Sequence, residues 1–199
     1  MYKGRLEAFS DGVIAILITI MVLELRVPAG AALSDLRPML PILLSYVLSF
    51  VLLAIYWNNH HHMFQVVERV SGPVLWANSH LLFWLSLVPF TTAWLGRNGR
   101  QPWPVAMYGV NLLLCAIAYY ILVQTLLACH SKDAPLAQAV GDDFKGAISI
   151  VAYVASIPLA FYYPELSYAC FIAVAILWLV PDKRMERAMK KQGSHGVAH

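Results

Sequence analysis

Arg5-Leu6-Glu7-Ala8-Phe9-Ser10-Asp11-Gly12-Val13-Ile14-Ala15-Ile16-Leu17-Ile18-Thr19-Ile20-Met21-Val22-Leu23-Glu24 reads as a membrane-spanning helix whose first third carries an arginine, two acids and a serine. Ionisable groups at membrane depth are costly, so they face protein or water rather than lipid. The remaining two thirds are almost wholly aliphatic. A charged foot beneath an aliphatic body makes this helix a candidate liner of a central path, with one copy contributed by each subunit.

The rest of the chain is equally apolar. Of 199 residues, 60% are hydrophobic and only 13% are charged, against about 25% charged in soluble domains. A span needs about 20 mostly apolar residues. Charge-free runs lie between Arg37 and Glu68, Arg69 and Arg97, Arg100 and Lys132, Lys145 and Glu165, and, shorter, Glu165 and Asp182. With the opening helix these make six spans. The expected fold is all-α: a six-helix transmembrane domain over 1–182, followed by a basic cytoplasmic tail over 183–199. Acids inside the first helix, and the lack of a small-x-small cleavage site before Pro28, argue against a cleaved signal peptide.

Orientation follows from where lysine and arginine sit. With the N-terminus inside, ten of the fourteen cations fall on inner segments; only Arg26, Arg37, Arg97 and Arg100 fall outside. Both termini are expected in the cytoplasm. The first helix is expected over about Leu6 to Leu25, ending before Pro28. Ala29 to Asp35 reads as an outer loop, and Pro38 and Pro41 as first-turn residues of the second helix. The third helix is expected over about Val74 to Leu95, and the fourth over about Pro104 to Cys129. Ser131 to Asp143 reads as a connector, with Asp142 and Asp143 solvated or capping the fifth helix. The fifth and sixth helices form a hairpin with Tyr163-Pro164 at its tip.

At helical spacing Phe9, Val13, Ile16, Ile20, Leu23 and Val27 share a stripe with heptad-like intervals, suited to helices packed around an axis. Glu7 and Asp11 lie four apart on one face. Arg5 is about 120° away from Asp11 around the helix, so the partner of Asp11 must come from another helix or another subunit. A second polar cluster, Trp57-Asn58-Asn59-His60-His61-His62-Met63-Phe64, ends the second span at the same depth. Adjacent residues on a helix point 100° apart, so no two of these histidines share a face; Trp57 with His61, and His60 with Phe64, do. A hydrogen-bonding role beside Arg5, Ser10 and Asp11 fits better than metal ligation.

Two readings from other classes stay open on these residues. One is a membrane redox or metal protein using His60, His61, His62 and His80. The other is a small secondary transporter with helices broken near Pro89 or Pro158. Enzyme chemistry has no footing, because there is no phosphate-binding glycine loop, H-E-x-x-H helix or nucleophile elbow. Cys115, Cys129 and Cys170 lack metal-ligand spacing, and no nucleic-acid partner is expected.

Arg5-x-x-x-Phe9-Ser10-Asp11 resembles the R-x-x-x-F-S-D signature of the endosomal and lysosomal potassium channel family, transmembrane protein 175. The resemblance continues through Gly12-Val13-Ile14-Ala15-Ile16, Leu23-Glu24 and Pro28, and through Trp57, His61, His62 and Phe64 after the second helix. It covers about the first third of the chain and points to a bacterial homologue in the cell membrane. It implies a potassium-permeable homotetramer with no TVGYG-type filter, in which helix 1 of each subunit lines the pore. By the same resemblance Ile16, Ile20 and Leu23 form the aliphatic constriction, with Thr19 near the selective layer and potassium in transit near Ile16, Thr19 and Ile20. Arg5, Phe9, Ser10, Asp11, Trp57, His61, His62 and His80 would then form the polar network that sets helix tilt. No cofactor is implied; the partners are other copies of the chain, monovalent cations and membrane lipids.

Overall fold

The computed structural model describes residues 3–67, 70–130 and 144–179. The basic tail, the 131–143 connector with Asp142 and Asp143, and the Glu68–Arg69 pair lie outside the described residues. All regular structure among the described residues is helical: α1 Lys3–Leu23, a 3-10 turn Leu33–Met39, α2 Leu40–Val66, α3 Gly72–Ser86, α4 Val88–Asn98, α5 Pro102–Ala128, α6 Phe144–Tyr162 and α7 Pro164–Leu179. Five segments are long and apolar enough to cross a membrane, counting α3 with α4 as one; α7 has 16 described residues and is shorter than that.

Three expectations need correction. The regular first helix ends at Leu23, with tighter turn bonds carrying the backbone to Leu25, so Val27, counted in the helical stripe, lies beyond the helix at 91% exposure. Pro38 sits inside the 3-10 turn, where the Asp35 carboxylate accepts the Ala32 N–H at 3.0 Å; only Pro41 occupies the first turn of α2. The third helix is broken at Leu87 into α3 and α4.

Pro89 explains that break. It lacks the N–H that would bond the Leu85 carbonyl, and its ring crowds that oxygen. Asn111 of α5, itself buried, covers the exposed backbone. Its Nδ2 donates to the Trp84 carbonyl at 3.0 Å, while Oδ1 accepts the Val88 N–H at 3.3 Å and the Thr91 hydroxyl at 3.1 Å. This amide orientation is assigned from the donors and acceptors around it.

The helices pack around two clusters. One joins α1, α2, α3 and the second half of α5 through Leu6, Ile14, Leu53, Phe64, Leu81 and Leu122. The other joins α2, α4, α5, α6 and α7 through Leu52, Leu95, Tyr108, Tyr153 and Phe171. In lipid, burial of apolar side chains adds little, so close packing and hydrogen bonds between helices carry association. The helix faces here follow that rule. Ser49 of α2 meets the Tyr108 hydroxyl of α5 at 2.8 Å and accepts the Thr92 hydroxyl of α4 at 2.7 Å, all buried.

Helix α1 lies against α2, α3 and α4. Its buried face is Leu6, Ser10, Ile14, Leu17 and Met21. Spacings of four and three keep those side chains on one stripe. Val13 is partly buried against the same core, so it leaves the exposed stripe assigned to it from the sequence.

Candidate functional site

Two features stand out on α1: an aliphatic face that the chain leaves uncovered, and the polar foot below it. On the uncovered face, Phe9 is 59%, Ile16 56%, Ile20 44% and Leu23 79% exposed, and Thr19 is exposed beside them. The Thr19 hydroxyl donates to the Ile16 carbonyl at 2.8 Å, within its own helix. Such a run of large apolar side chains on an edge helix needs lipid, a partner, or both to cover it. A groove of about 590 Å³ runs alongside, between α1 and the α3–α4 segment, walled by Leu17, Ile20, Phe90 and Trp94.

The foot ties three helices together. Ser10 donates to the Leu6 carbonyl at 2.9 Å, leaving its oxygen to accept Nδ2 of Asn78 on α3 at 2.9 Å. The Asn78 amide oxygen therefore faces Nε2 of His60 on α2, 2.8 Å away. An amide oxygen only accepts, so the proton sits on Nε2. The Nδ1 of His60 has no protein partner among the described residues, and the ring stacks on Phe64 at 4.5 Å. Ser10, Asn78 and His60 are all buried.

Asp11 makes the second link. Its Oδ1 accepts the indole N–H of Trp57 at 2.9 Å. Trp57 in turn stacks on His61, with ring centroids 5.8 Å apart and planes 16° off parallel, and His61 contacts Gln65 at 2.8 Å. Hence Asp11, Trp57 and His61 come together at the junction of α1 and α2, while Ser10 is held separately through Asn78 and His60. Of the other sequence-predicted network residues among those described, only His62 touches this group, its ring centroid 5.7 Å from that of His61. Arg5 and Phe9 are exposed, and neither makes a side-chain bond among the described residues. His62 is half-buried with Nδ1 unpartnered, and His80 accepts the Trp84 indole N–H at 2.8 Å on α3's own surface. The sequence places His60 in the polar cluster after the second helix without naming it, or Asn78, in the network; both reach Ser10's chain of bonds in the structure. Their signal was ambiguous: each stands in a short polar run, Asn58 to His62 and Asn78 to His80, and nothing in the run says which member turns toward Ser10.

At the opposite end, Glu24 forms an ion pair with Arg97 at the end of α4, both about half-exposed. Exposed pairs of this kind contribute roughly 0–1 kcal/mol, so it steers the chain after α1 more than it stabilises the fold. Among the described residues no three His, Cys, Asp or Glu side chains converge in a way that would hold a metal ion.

The family profile described as endosomal/lysosomal potassium channel TMEM175 matches residues 5–89, the segment holding α1, α2, α3, the exposed stripe and the polar foot. A potassium channel of Chryseobacterium sp. (strain P1-3) is 51% identical over 191 residues, 96% of this chain and 100% of that one. The chain belongs to the TMEM175 family. Its fold matches a crystal structure described as a lysosomal potassium-selective channel TMEM175 homolog from Chamaesiphon minutus, with a TM-score of 0.79 and 29% identity over 89% of this chain and 96% of that one. The TMEM175 of Homo sapiens, named an endosomal/lysosomal proton channel, is 30% identical over 112 residues, which is 50% of this chain and 22% of the human one. These TMEM175 relatives are channels rather than enzymes, and this family member is a multi-pass helical membrane protein.

Proposed function

We propose that the protein is a potassium-permeable channel of the bacterial cell membrane, built from four copies with α1 of each lining the pore and both termini in the cytoplasm. The observation that carries this reading is the uncovered α1 face. Ile16, Ile20 and Leu23 stand on it at 44–79% exposure, inside the stretch that matches the family. One chain cannot enclose a path with one helix, whereas rotational symmetry closes a ring of them. The groove beside α1, walled by Phe90 and Trp94, is a surface that a neighbouring copy would cover.

Rings of aliphatic side chains close a pore by dewetting, because an ion entering loses its hydration without replacement ligands. Such a constriction at Ile16, Ile20 and Leu23, with the Thr19 hydroxyl beside it, discriminates less sharply than a carbonyl cage. Potassium is therefore preferred over sodium only moderately. The Ser10–Asn78–His60 and Asp11–Trp57 links hold the base of α1 at a fixed tilt; they position the pore wall and do not filter ions. No cofactor takes part.

The names of the bacterial relatives support potassium, and those of the animal relatives raise protons as a second permeant ion. Bi-ionic reversal potentials of the purified protein in planar bilayers separate the two. A shift toward the potassium potential under potassium/sodium gradients, together with a native mass of four subunits, is the expected result. A reversal potential that follows only the pH gradient selects the proton reading. A monomer without current ends both.

A further inference from the structure

The end of the bundle away from Lys3 carries a second concavity. It lies between the start of α2, the end of α4 and α7, with a volume of about 910 Å³. α7 packs chiefly against α2, α5 and α6, so this cleft opens on a different flank from the α1 stripe. Its wall is apolar: Leu44 and Leu48, one helical turn apart on α2, face Ile172 of α7. Leu44 is 66% and Ile172 47% exposed. Its rim is polar and cationic, formed by Arg97, Arg100 and Gln101.

The floor is rigidly built. At Gly96 the α4 backbone presses on α2, where a Cβ would come within 2.8 Å of the Ile42 Cα. The Tyr168 hydroxyl of α7 donates to the Gly99 carbonyl at 3.1 Å. The two rim arginines differ: Arg97 is committed to Glu24, while Arg100 is exposed and has no acidic partner among the described residues. The start of α5, two residues on from Arg100, and the α6–α7 tip carry aromatic side chains of the kind found at the membrane–water boundary. Trp103 is 62%, Tyr162 78% and Tyr163 62% exposed, and Trp103 meets Phe161 edge-on at 5.1 Å.

We propose that this cleft holds one anionic phospholipid per chain. An acyl chain lies along Leu44, Leu48 and Ile172, and the phosphodiester sits on the Arg100 guanidinium with Gln101 beside it. A planar guanidinium matches phosphate oxygens in a paired geometry that an ammonium cannot copy. Charge complementarity selects this occupant: the rim offers a cation with no acidic partner among the described residues, next to an apolar wall that an acyl chain fits. The inference needs only that the chain spans a membrane and stands whether or not ions pass along α1.

The test uses the full chain, reconstituted in vesicles of equal phosphatidylglycerol and phosphatidylcholine, extracted gently and weighed by native mass spectrometry. Wild type should retain phosphatidylglycerol in preference to phosphatidylcholine. Arg100→Gln should lower that retention about tenfold, the size of one charge-assisted contact, and Arg100→Lys should restore only part of it. Leu44→Trp should expel the lipid with the cationic rim intact, and Arg26→Gln, outside the cleft, should change nothing. Equal retention of both lipids, unchanged retention in both Arg100→Gln and Leu44→Trp, or a Leu44→Cys cross-link between two copies would overturn the proposal.

Discussion

Asn78 donates its side-chain amide to the Ser10 hydroxyl across the α1–α3 contact at 2.9 Å, in a site closed to solvent. Because Ser10 already donates to Leu6, this one contact sets the direction of the whole chain through to His60. Asn78→Leu should therefore leave two buried groups unpaired, each costing about 1–3 kcal/mol. Thermal unfolding of the purified protein in detergent should fall by several degrees, with potassium flux reduced in parallel. Unfolding at the wild-type temperature would show that the chain contributes nothing to α1's placement.

The Asp11–Trp57 bond differs because both side chains are partly open to solvent. Trp57→Phe keeps an aromatic ring over His61 but removes the donor to Asp11. Its effect on unfolding should be small, below about 1 kcal/mol. The effect should appear instead in assembly and conduction, read as the fraction of four-subunit species in native mass spectra and as flux in liposomes. Asp11→Ala should act in the same direction and more strongly. Full tetramers with normal flux from both variants would remove the positioning role of Asp11.

The two faces of α1 should respond in opposite ways. Ile16→Asn and Leu23→Ala alter side chains that the single chain leaves exposed, so potassium conductance or selectivity should change with little loss of stability. Leu17→Ala, one residue along from Ile16 but only 6% exposed, should lower stability by about 2–5 kcal/mol through the cavity it leaves. Reversal potentials and melting curves measured on all three variants check both halves.

Asn111 offers a test of the broken third span. Asn111→Leu would strip the Val88 N–H of its acceptor, with a penalty of about 1–3 kcal/mol. Hydrogen exchange should rise locally, between Trp84 and Thr91, before any global loss of protection. Protection unchanged in that segment would mean that Asn111 does not support the break.

That the chain is a succession of apolar helices was legible in the residues alone, because bilayer thickness sets a minimum apolar length and charged residues end each run; of the six spans expected, five are long and apolar enough to cross among the described residues, and α7 is shorter. The motif at Arg5, Phe9, Ser10 and Asp11 also pointed to the family that the full-length comparison establishes. The break at Leu87 was less legible. Pro89 marked a break only under the transporter reading, and the Asn111 side chain that satisfies the broken backbone lies 22 positions further along the chain and reaches across from α5.

By itself, then, the sequence determined that this chain is a bundle of membrane helices with a charged foot on the first. Only the tertiary structure decided which side of α1 is covered. Nearly every position from Gly12 to Leu23 is apolar, so periodicity could not separate Val13 and Ile14, which pack inward, from Ile16, Ile20 and Leu23, which do not. The same holds for the polar foot, where His60 and Asn78 matter because α2 and α3 bring them to Ser10, not because of where they stand in the chain. Apolar composition answers to the membrane, whereas the choice of face answers to neighbouring helices, and those exist only once the chain has folded.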